Sequence, residues 1–457
     1  MKTINLLTAL FLFLICFSIS AKTSSKQKNQ PADSLVIQSI FPFQKQHCHG
    51  STIVELPNKD LLVAWFQGSG ERTADDVAIK GARYNHKTGQ WGKPFVMADV
   101  PYFPDINPVL FVDNQSRLWL YWYTVMAYQW STSLLKYRVS DNYMQKEGAP
   151  VWSWQDVIPM RPDGGMAKEG IARNDSFVAT LNRKFDEYYD YLNHTGQIKA
   201  DGNDAITKAK WDKVKDFYLD IAKGKNLVSD GKELNDKGEK VSAQLGYPLM
   251  RRIGWQTRNK PQQIGKRMIL PLYSDGLNLS IMAITEDQGA HWKFSEPILG
   301  GGAIQPTLAL NKDGSITILM RDNGPPPKRL MKSTSKDGGF TWSSVEDTDI
   351  PNPGTAADVV VLASGNWALV HNDIEEGRHR LSVWLSEDEG KTWPFRKILV
   401  NGQPGSAVRG HYPAIIQGKD GRIHASYTNQ IAGDKGEPDL KNIVHASFSE
   451  AWLMSEN

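Results

Sequence analysis

The stretch "HCHGSTIVELPNKDLLVAWF", His47 to Phe66, sets two imidazoles around a thiol directly ahead of an alternating apolar run. In an extended chain His47 and His49 fall on one face, at i and i+2, and Cys48 falls on the other. A zinc site takes thiolate and imidazole but gathers them from separate segments, whereas "HCH" crowds three ligands onto one. No metal or other cofactor is expected. An imidazole near its free pKa can carry a proton at ordinary pH, which makes His49 a candidate proton-transfer group with His47 as its neighbour. A histidine buried and hydrogen-bonded at the start of a strand is the alternative. Cys48 reads as a small core residue.

Whatever these groups do, a repeat must position them. Six segments share one pattern of apolar strand, short polar turn and second apolar strand: "STIVELPNKDLLVAWF", "PVLFVDNQSRLWLYW", "PQQIGKRMILPLY", "TLALNKDGSITILM", "DVVVLASGNWALV" and "PAIIQGKDGRIHASY". Alternation around Asn/Asp/Gly turns makes each a hairpin. They recur about every fifty residues once an insertion after the second is set aside. After three of them runs a further signature: "TEDQGAHW" at Thr285–Trp292, "SKDGGFTW" at Ser335–Trp342 and "SEDEGKTW" at Ser386–Trp393. This is the Asp-box pattern S-x-D-x-G-x-T-W, in which Asp and Gly build a turn and Trp plugs between sheets. "ARYNHKTGQW", ending at Trp91, is a worn copy. Four-stranded units at this period predict an all-β fold, a β-propeller of six blades with a seventh possible inside the insertion. "SLVIQSIFPF", ahead of His47, can supply a closing strand.

The insertion, about residues 163–246, interrupts a domain expected over 34–457. "FDEYYDYLNH" and "DAITKAKWDKVKDFYLDIAKGK" read as helices, with Trp211, Val214, Phe217, Tyr218 and Ile221 on one face and Gly224 as a stop. It is expected to pack on the propeller or to wall the site, since long insertions on rigid scaffolds often carry function. The first 21 residues, "MKTINLLTALFLFLICFSISA", read as a secretory signal peptide cleaved after about Ser20 or Ala21, which predicts a periplasmic or secreted protein. Cys48 is then the only cysteine left, so no internal disulfide forms. No later run is long and apolar enough to span a membrane. A net charge of +3 over 457 residues argues against a nucleic-acid partner.

Together the hairpins and boxes resemble the sialidase superfamily of propellers, over nearly all of the chain outside the insertion. In that family three arginines grip a substrate carboxylate, the first within an R-I-P motif on the first strand. A tyrosine activated by a glutamate attacks, and an aspartate serves as acid/base. The resemblance implies that His49 stands where the first arginine belongs, and that Gln305, in "AIQPTLAL", stands near the glutamate's place. Arg321 in "ILMRDNG" and Arg380 in "RHRLSVWLS" fit the other arginines, with Arg378 and Arg409 as nearby alternatives. Tyr412 in "RGHYPAII" fits the tyrosine, with His411 behind it, and Asp75 or Asp76 in "ERTADDVAI" falls near the aspartate. Asn107, in "DINPVLF", offers an amide to a sugar hydroxyl or to a turn. The chain is also similar to secreted bacterial propeller enzymes acting on uronic-acid polysaccharides, such as ulvan-type lyases and related dehydratases, which use His, with Tyr and Arg in the lyases.

This set suits β-elimination at a uronic acid of an acidic oligosaccharide or polysaccharide, as lyase or dehydratase. The C5 proton lies α to a carboxylate, arginines stabilise the charge that develops there, His49 takes the proton, and Tyr412 protonates the departing oxygen. An exo-glycosidase, sialidase-like or removing another terminal sugar such as rhamnose, is the alternative, and it calls for two working carboxyl groups or a substitute nucleophile. A non-catalytic carbohydrate-binding propeller is the third reading.

Overall fold

A computed structural model describes residues 34–162, 175–198, 206–224, 251–434 and 436–456. The leader and part of the insertion lie outside these residues. The chain forms six antiparallel sheets, each a blade. Blade one starts at His47–Glu55, blade two at Asp105–Val112, blade three at Gln256–Thr257 with Gln262–Ile264, blade four at Ala303–Leu310, blade five at Asp358–Val361 and blade six at Val408–Gln417. These innermost strands sit beside one another around the axis. Six blades are what the hairpin count predicts, and no seventh is found among the described residues.

The ring is closed by a strand from the other end of the chain. Val36–Ser39 pairs antiparallel with Leu440–Phe448, Val36 opposite Ser447, as the outermost strand of blade six. The sequence "SLVIQSIFPF" thus does supply the closing strand. Main-chain pairing between the two ends satisfies an edge that would otherwise be open.

The Asp boxes are turn devices, as expected. In the third, Ser386 Oγ donates to Asp388 Oδ1 at 2.8 Å and accepts from the Gly390 N–H at 2.8 Å, while Thr392 N–H and Oγ both donate to the Asp388 carboxylate. Burial pushes the Asp388 carboxyl up, but the bonds from Thr392 and Ser386 outweigh it and hold it at about 2. The box beginning at Ser335 repeats this arrangement, and the Thr285 box keeps its Thr285, Asp287 and Gly289 bonds. Trp342 and Trp393 are buried in the cores between blades. Each such core is built largely of strand residues, and full burial contributes about 1.5–3 kcal/mol per large apolar side chain.

Two described helices belong to the insertion. Ser176–His194, α1, is capped by Asp175, and Lys208–Lys223, α2, is capped by Thr207 and ends at Gly224 in the left-handed conformation, φ 101°. Phe177, Leu181, Phe185, Tyr188 and Leu192 of α1 join the core of blades two to four. The aromatic face expected of α2 is divided: Trp211 is buried, whereas Val214 and Phe217 are 43% and 54% exposed. No described helix is long and apolar enough to cross a membrane.

Candidate active site

Four of the six innermost strands carry the same defect. The register slips between His49 and Thr52, between Ile106 and Val109, between Ile304 and Thr307, and between His411 and Ala414. The extra residue is at positive φ each time: Gly50 at 63°, Asn107 at 47°, Gln305 at 54° and Tyr412 at 53°. A β-bulge turns the side chain of the extra residue out of the alternating pattern. Here three polar side chains are turned into one cavity of about 360 Å³ at the propeller axis. Asn107, Gln305 and Tyr412 each precede a proline, a context that disfavours helical backbone. Strain of this kind is held by the surrounding sheet and clusters at functional sites.

Tyr412 is the centre of the cavity. Its hydroxyl oxygen accepts from Arg321 Nη1 at 3.1 Å and from Gln305 Nε2 at 3.3 Å. The guanidinium groups of Arg258 and Arg378 lie 5.2 and 5.5 Å from its ring centroid, and the His49 ring lies 4.1 Å away. Amides carry the network on. Gln305 Nε2 also donates to Tyr273 Oη at 3.3 Å, and Asn107 Nδ2 donates to Tyr123 Oη at 3.1 Å and Tyr273 Oη at 3.5 Å. Burial raises the phenols of Tyr123 and Tyr273, reinforced at Tyr273 by Asp275, so both stay protonated. The His49 Nδ1 pairs with Thr428 Oγ1 at 2.9 Å. Burial, then the neighbouring His411, His47 and Arg378, pushes His49 well below 6.5. It is therefore a neutral imidazole, more weakly basic than the free group that the sequence reading assumed.

The structure brings His49, Asn107, Arg321, Gln305 and Tyr412 to the cavity wall. It does not bring Arg380, whose Nε and Nη2 are taken by Asp373 Oδ1 and the Asp373 carbonyl at 2.7 and 2.9 Å. Arg378 lines the cavity instead. The Gly410 N–H donates to the Arg378 carbonyl at 3.0 Å, and that tie places Arg378 over Tyr412, two residues along. Asp76 is likewise turned away, since its carboxylate caps the Ser69 N–H and hydroxyl, and Asp75 accepts from Tyr128 Oη outside the cavity. The carboxylate this loop sends inward is Glu71. His47 contacts it at 3.2 Å and meets Lys441 Nζ at 2.9 Å on the other ring nitrogen, so His47 orients Glu71 rather than lining the cavity. Burial pushes Glu71 up, but His47, Lys441 and Arg378 bring it net below its usual range. His411 lies behind the wall, between Arg378 at 3.4 Å and Gln430 at 3.0 Å. Arg409 is not among the lining residues.

Sequence reading missed Phe66, Arg72, Tyr123, Tyr273 and Asp275, all in the cavity wall. A signal for three of them was present. Phe66, Tyr123, Tyr273 and Arg321 occupy equivalent places, at or one residue beyond the end of the repeated hairpin segments. Phe66, Tyr123 and Arg321 pair directly with the residue preceding a bulge. Burial raises the Asp275 carboxyl, against the pull of Arg321 and Gln256. The wall thus holds three arginines and two carboxylates, with Arg258 buried beneath the tyrosine. An anion fits this balance, because Arg offers a bidentate fork to a carboxylate.

Comparison with known proteins agrees with this architecture. No curated protein matches the sequence. A protein of unknown function from Dyadobacter fermentans is 12% identical, with a TM-score of 0.57 over 92% of this chain and 99% of that one. The intramolecular trans-sialidase from Ruminococcus gnavus is 16% identical, with a TM-score of 0.54 over 90% of this chain and 96% of that one. The NanB sialidase from Streptococcus pneumoniae is 14% identical, with a TM-score of 0.53 over 91% and 71%. At such identities the likeness is one of fold. The BNR repeat-like domain matches residues 59–185 and 196–425, most of the propeller, and the chain accordingly belongs to that family.

Proposed function

We propose that the axial cavity binds the carboxylated sugar of an acidic oligosaccharide or polysaccharide and that the protein eliminates across C4–C5 of a uronic acid there. One observation carries this reading: the Tyr412 oxygen already accepts from two donors, Arg321 and Gln305, so its own O–H is directed toward a ligand. Such a hydroxyl is placed to protonate the oxygen leaving C4. Arg321 and Arg378 hold the carboxylate and stabilise the charge that develops when the C5 proton is removed. His49 is neutral and its Nδ1 pairs with Thr428 Oγ1; in the tautomer that carries the proton on Nδ1, Nε2 is the acceptor. The negative charge of the bound substrate offsets the arginines that otherwise disfavour the imidazolium. An exported location, read from the leader, suits a polysaccharide substrate.

Glu71 and Asp275 favour a second reading, hydrolysis of a terminal sugar, because two cavity carboxyl groups meet a requirement that Asp75 and Asp76 do not. A tyrosine nucleophile of the sialidase kind is less well supported, since an amide, Gln305, stands where a base is needed. Incubation with a panel of acidic oligosaccharides and mass spectrometry of the products tests the proposal. Cleavage without uptake of water, or loss of water, with a new double bond supports elimination. Cleavage with gain of water overturns it in favour of hydrolysis, and tight binding without conversion of any substrate leaves a binding propeller.

A further inference from the structure

A second cavity, of about 470 Å³, lies between the insertion helices and blades three and four. Its walls are aromatic and aliphatic: Phe185 and Tyr188 from α1, Trp211 and Tyr218 from α2, with Leu299 and Met331 from the propeller. Among the described residues its charged groups are two carboxylates, Asp322 and Asp347, against one ammonium, Lys210. Burial raises both carboxyl groups. A second anionic unit finds no arginine among the described lining residues. A neutral ligand with apolar faces and hydroxyls fits, because rings stack on its C–H faces while carboxylates accept from its hydroxyls.

Two unfinished hydrogen bonds point to such a ligand. The Trp211 indole N–H is buried and has no partner among the described residues. The Tyr188 hydroxyl accepts from the Gly301 N–H at 3.0 Å, which leaves its own proton to donate. Other buried indoles of this chain also lack a partner, but Trp211 and Tyr188 both line the cavity, where a ligand acceptor can complete their hydrogen bonds.

The cavity is also joined to the axial site. Tyr218 and Asn278 line the second cavity together, Asn323 Nδ2 donates to Asn278 Oδ1 at 3.4 Å, and Arg321 Nη2 donates to Asn323 Oδ1 at 3.1 Å. Asn323 lines the axial cavity and Asn278 lines the second one. Arg321 and Asp322, consecutive in one strand, face one cavity each. The two cavities therefore flank the same strand end, Arg321 and Asp322, and meet at the Asn278–Asn323 pair.

We propose that this second cavity is a subsite for a neutral hexose or 6-deoxyhexose unit joined to the acidic sugar held in the axial cavity. The inference rests on the acidic-sugar reading given above and adds to it the identity of the neighbouring unit. Specificity for an alternating neutral–acidic chain then comes from the insertion rather than from the propeller ring.

The test is titration of the intact protein with three probes: methyl glucuronide, methyl rhamnoside, and a disaccharide in which rhamnose is linked to glucuronate. Saturation-transfer NMR reads binding and needs no turnover. The disaccharide is expected to bind about tenfold or more tightly than methyl glucuronide, with transfer to the rhamnose methyl group. Val214→Trp fills the cavity from a half-exposed position without removing core, and Trp211→Ala deletes its wall. Each is expected to abolish that preference. Should methyl rhamnoside contact the wild type and lose contact in Val214→Trp while no glucuronide binds, the subsite stands and the acidic-sugar reading falls. Should the Val214→Trp protein keep both the disaccharide preference and the rhamnoside signal of the wild type, or should the wild type show neither, the subsite does not exist.

Discussion

At the scale of single residues, the site works by placing donors and acceptors around one phenol. Tyr412 is held by amide and guanidinium donors on its oxygen and by cations on its ring, which fixes its orientation without supplying a carboxylate base. The division of labour between Tyr412, His49 and Arg321 gives separable kinetic effects. If the proposed elimination holds, His49→Ala and Tyr412→Phe each remove a proton-transfer group, so kcat is expected to fall about 10²–10⁴-fold with little change in KM. On the same reading Arg321→Ala removes a carboxylate contact that strengthens as charge develops, together with a donor that orients Tyr412, so KM is expected to rise and kcat to fall. Steady-state kinetics on an unsaturated-uronate absorbance assay measures both. Near-full kcat in His49→Ala would show that the imidazole is only a packed, hydrogen-bonded core residue.

At the scale of elements, the bulges are what convert an alternating strand into a site. Gly50 shows how tightly one is packed. It sits at φ 63°, and a Cβ there would meet Asn107 Oδ1 at 2.6 Å and the Phe66 ring at 2.9 Å. Both neighbours line the axial cavity. Gly50→Ala is therefore expected to cost at least about 2 kcal/mol, from the left-handed backbone and the overlap together. It should also displace Asn107 from Tyr123 and Tyr273. Denaturant unfolding measures the first effect and substrate affinity the second. A Gly50→Ala protein as stable and as active as the wild type would mean that the first bulge does not shape the cavity. The insertion helices act differently: they add a wall to blades three and four but contribute no described residue to the axial cavity.

At the scale of the whole molecule, closure of the ring buries many histidines. His49, His411 and His445 are pushed well below 6.5 by burial and by neighbouring cations or histidines, and His371 and His424 are pushed down to about 4, first by burial. In each case the folded pKa is the lower one, so the unfolded chain binds protons first as the pH drops. The stability these groups contribute is fully present above about 6.5, the value an unfolded histidine returns to, and is lost progressively below it. Tm is accordingly expected to be flat at neutral pH and to fall steadily from about pH 6.5 toward pH 4. Calorimetry across that range checks it, and an unchanged Tm down to pH 5 would contradict the buried neutral state.

Hairpin period, Asp boxes and the closing strand were all legible in the sequence, because each depends on local turn chemistry or on alternation within a few residues. So was the identity of His49, Asn107, Arg321 and Tyr412 as cavity residues, since their places follow from the hairpin repeat and the resemblance it supports. Which arginine and which acid accompany them was decided only by the tertiary structure. Arg378 displaces Arg380 because its carbonyl is tied to Gly410 in another blade, and Glu71 displaces Asp76 because Ser69 captures the aspartate. Tyr123 reaches the site from blade two, and Tyr273 and Asp275 from blade three, and only ring closure brings the two blades together. Periodicity specifies which face a side chain leaves from. Which side chains meet depends on contacts between chain segments far apart in sequence, such as the one linking Thr428 to His49.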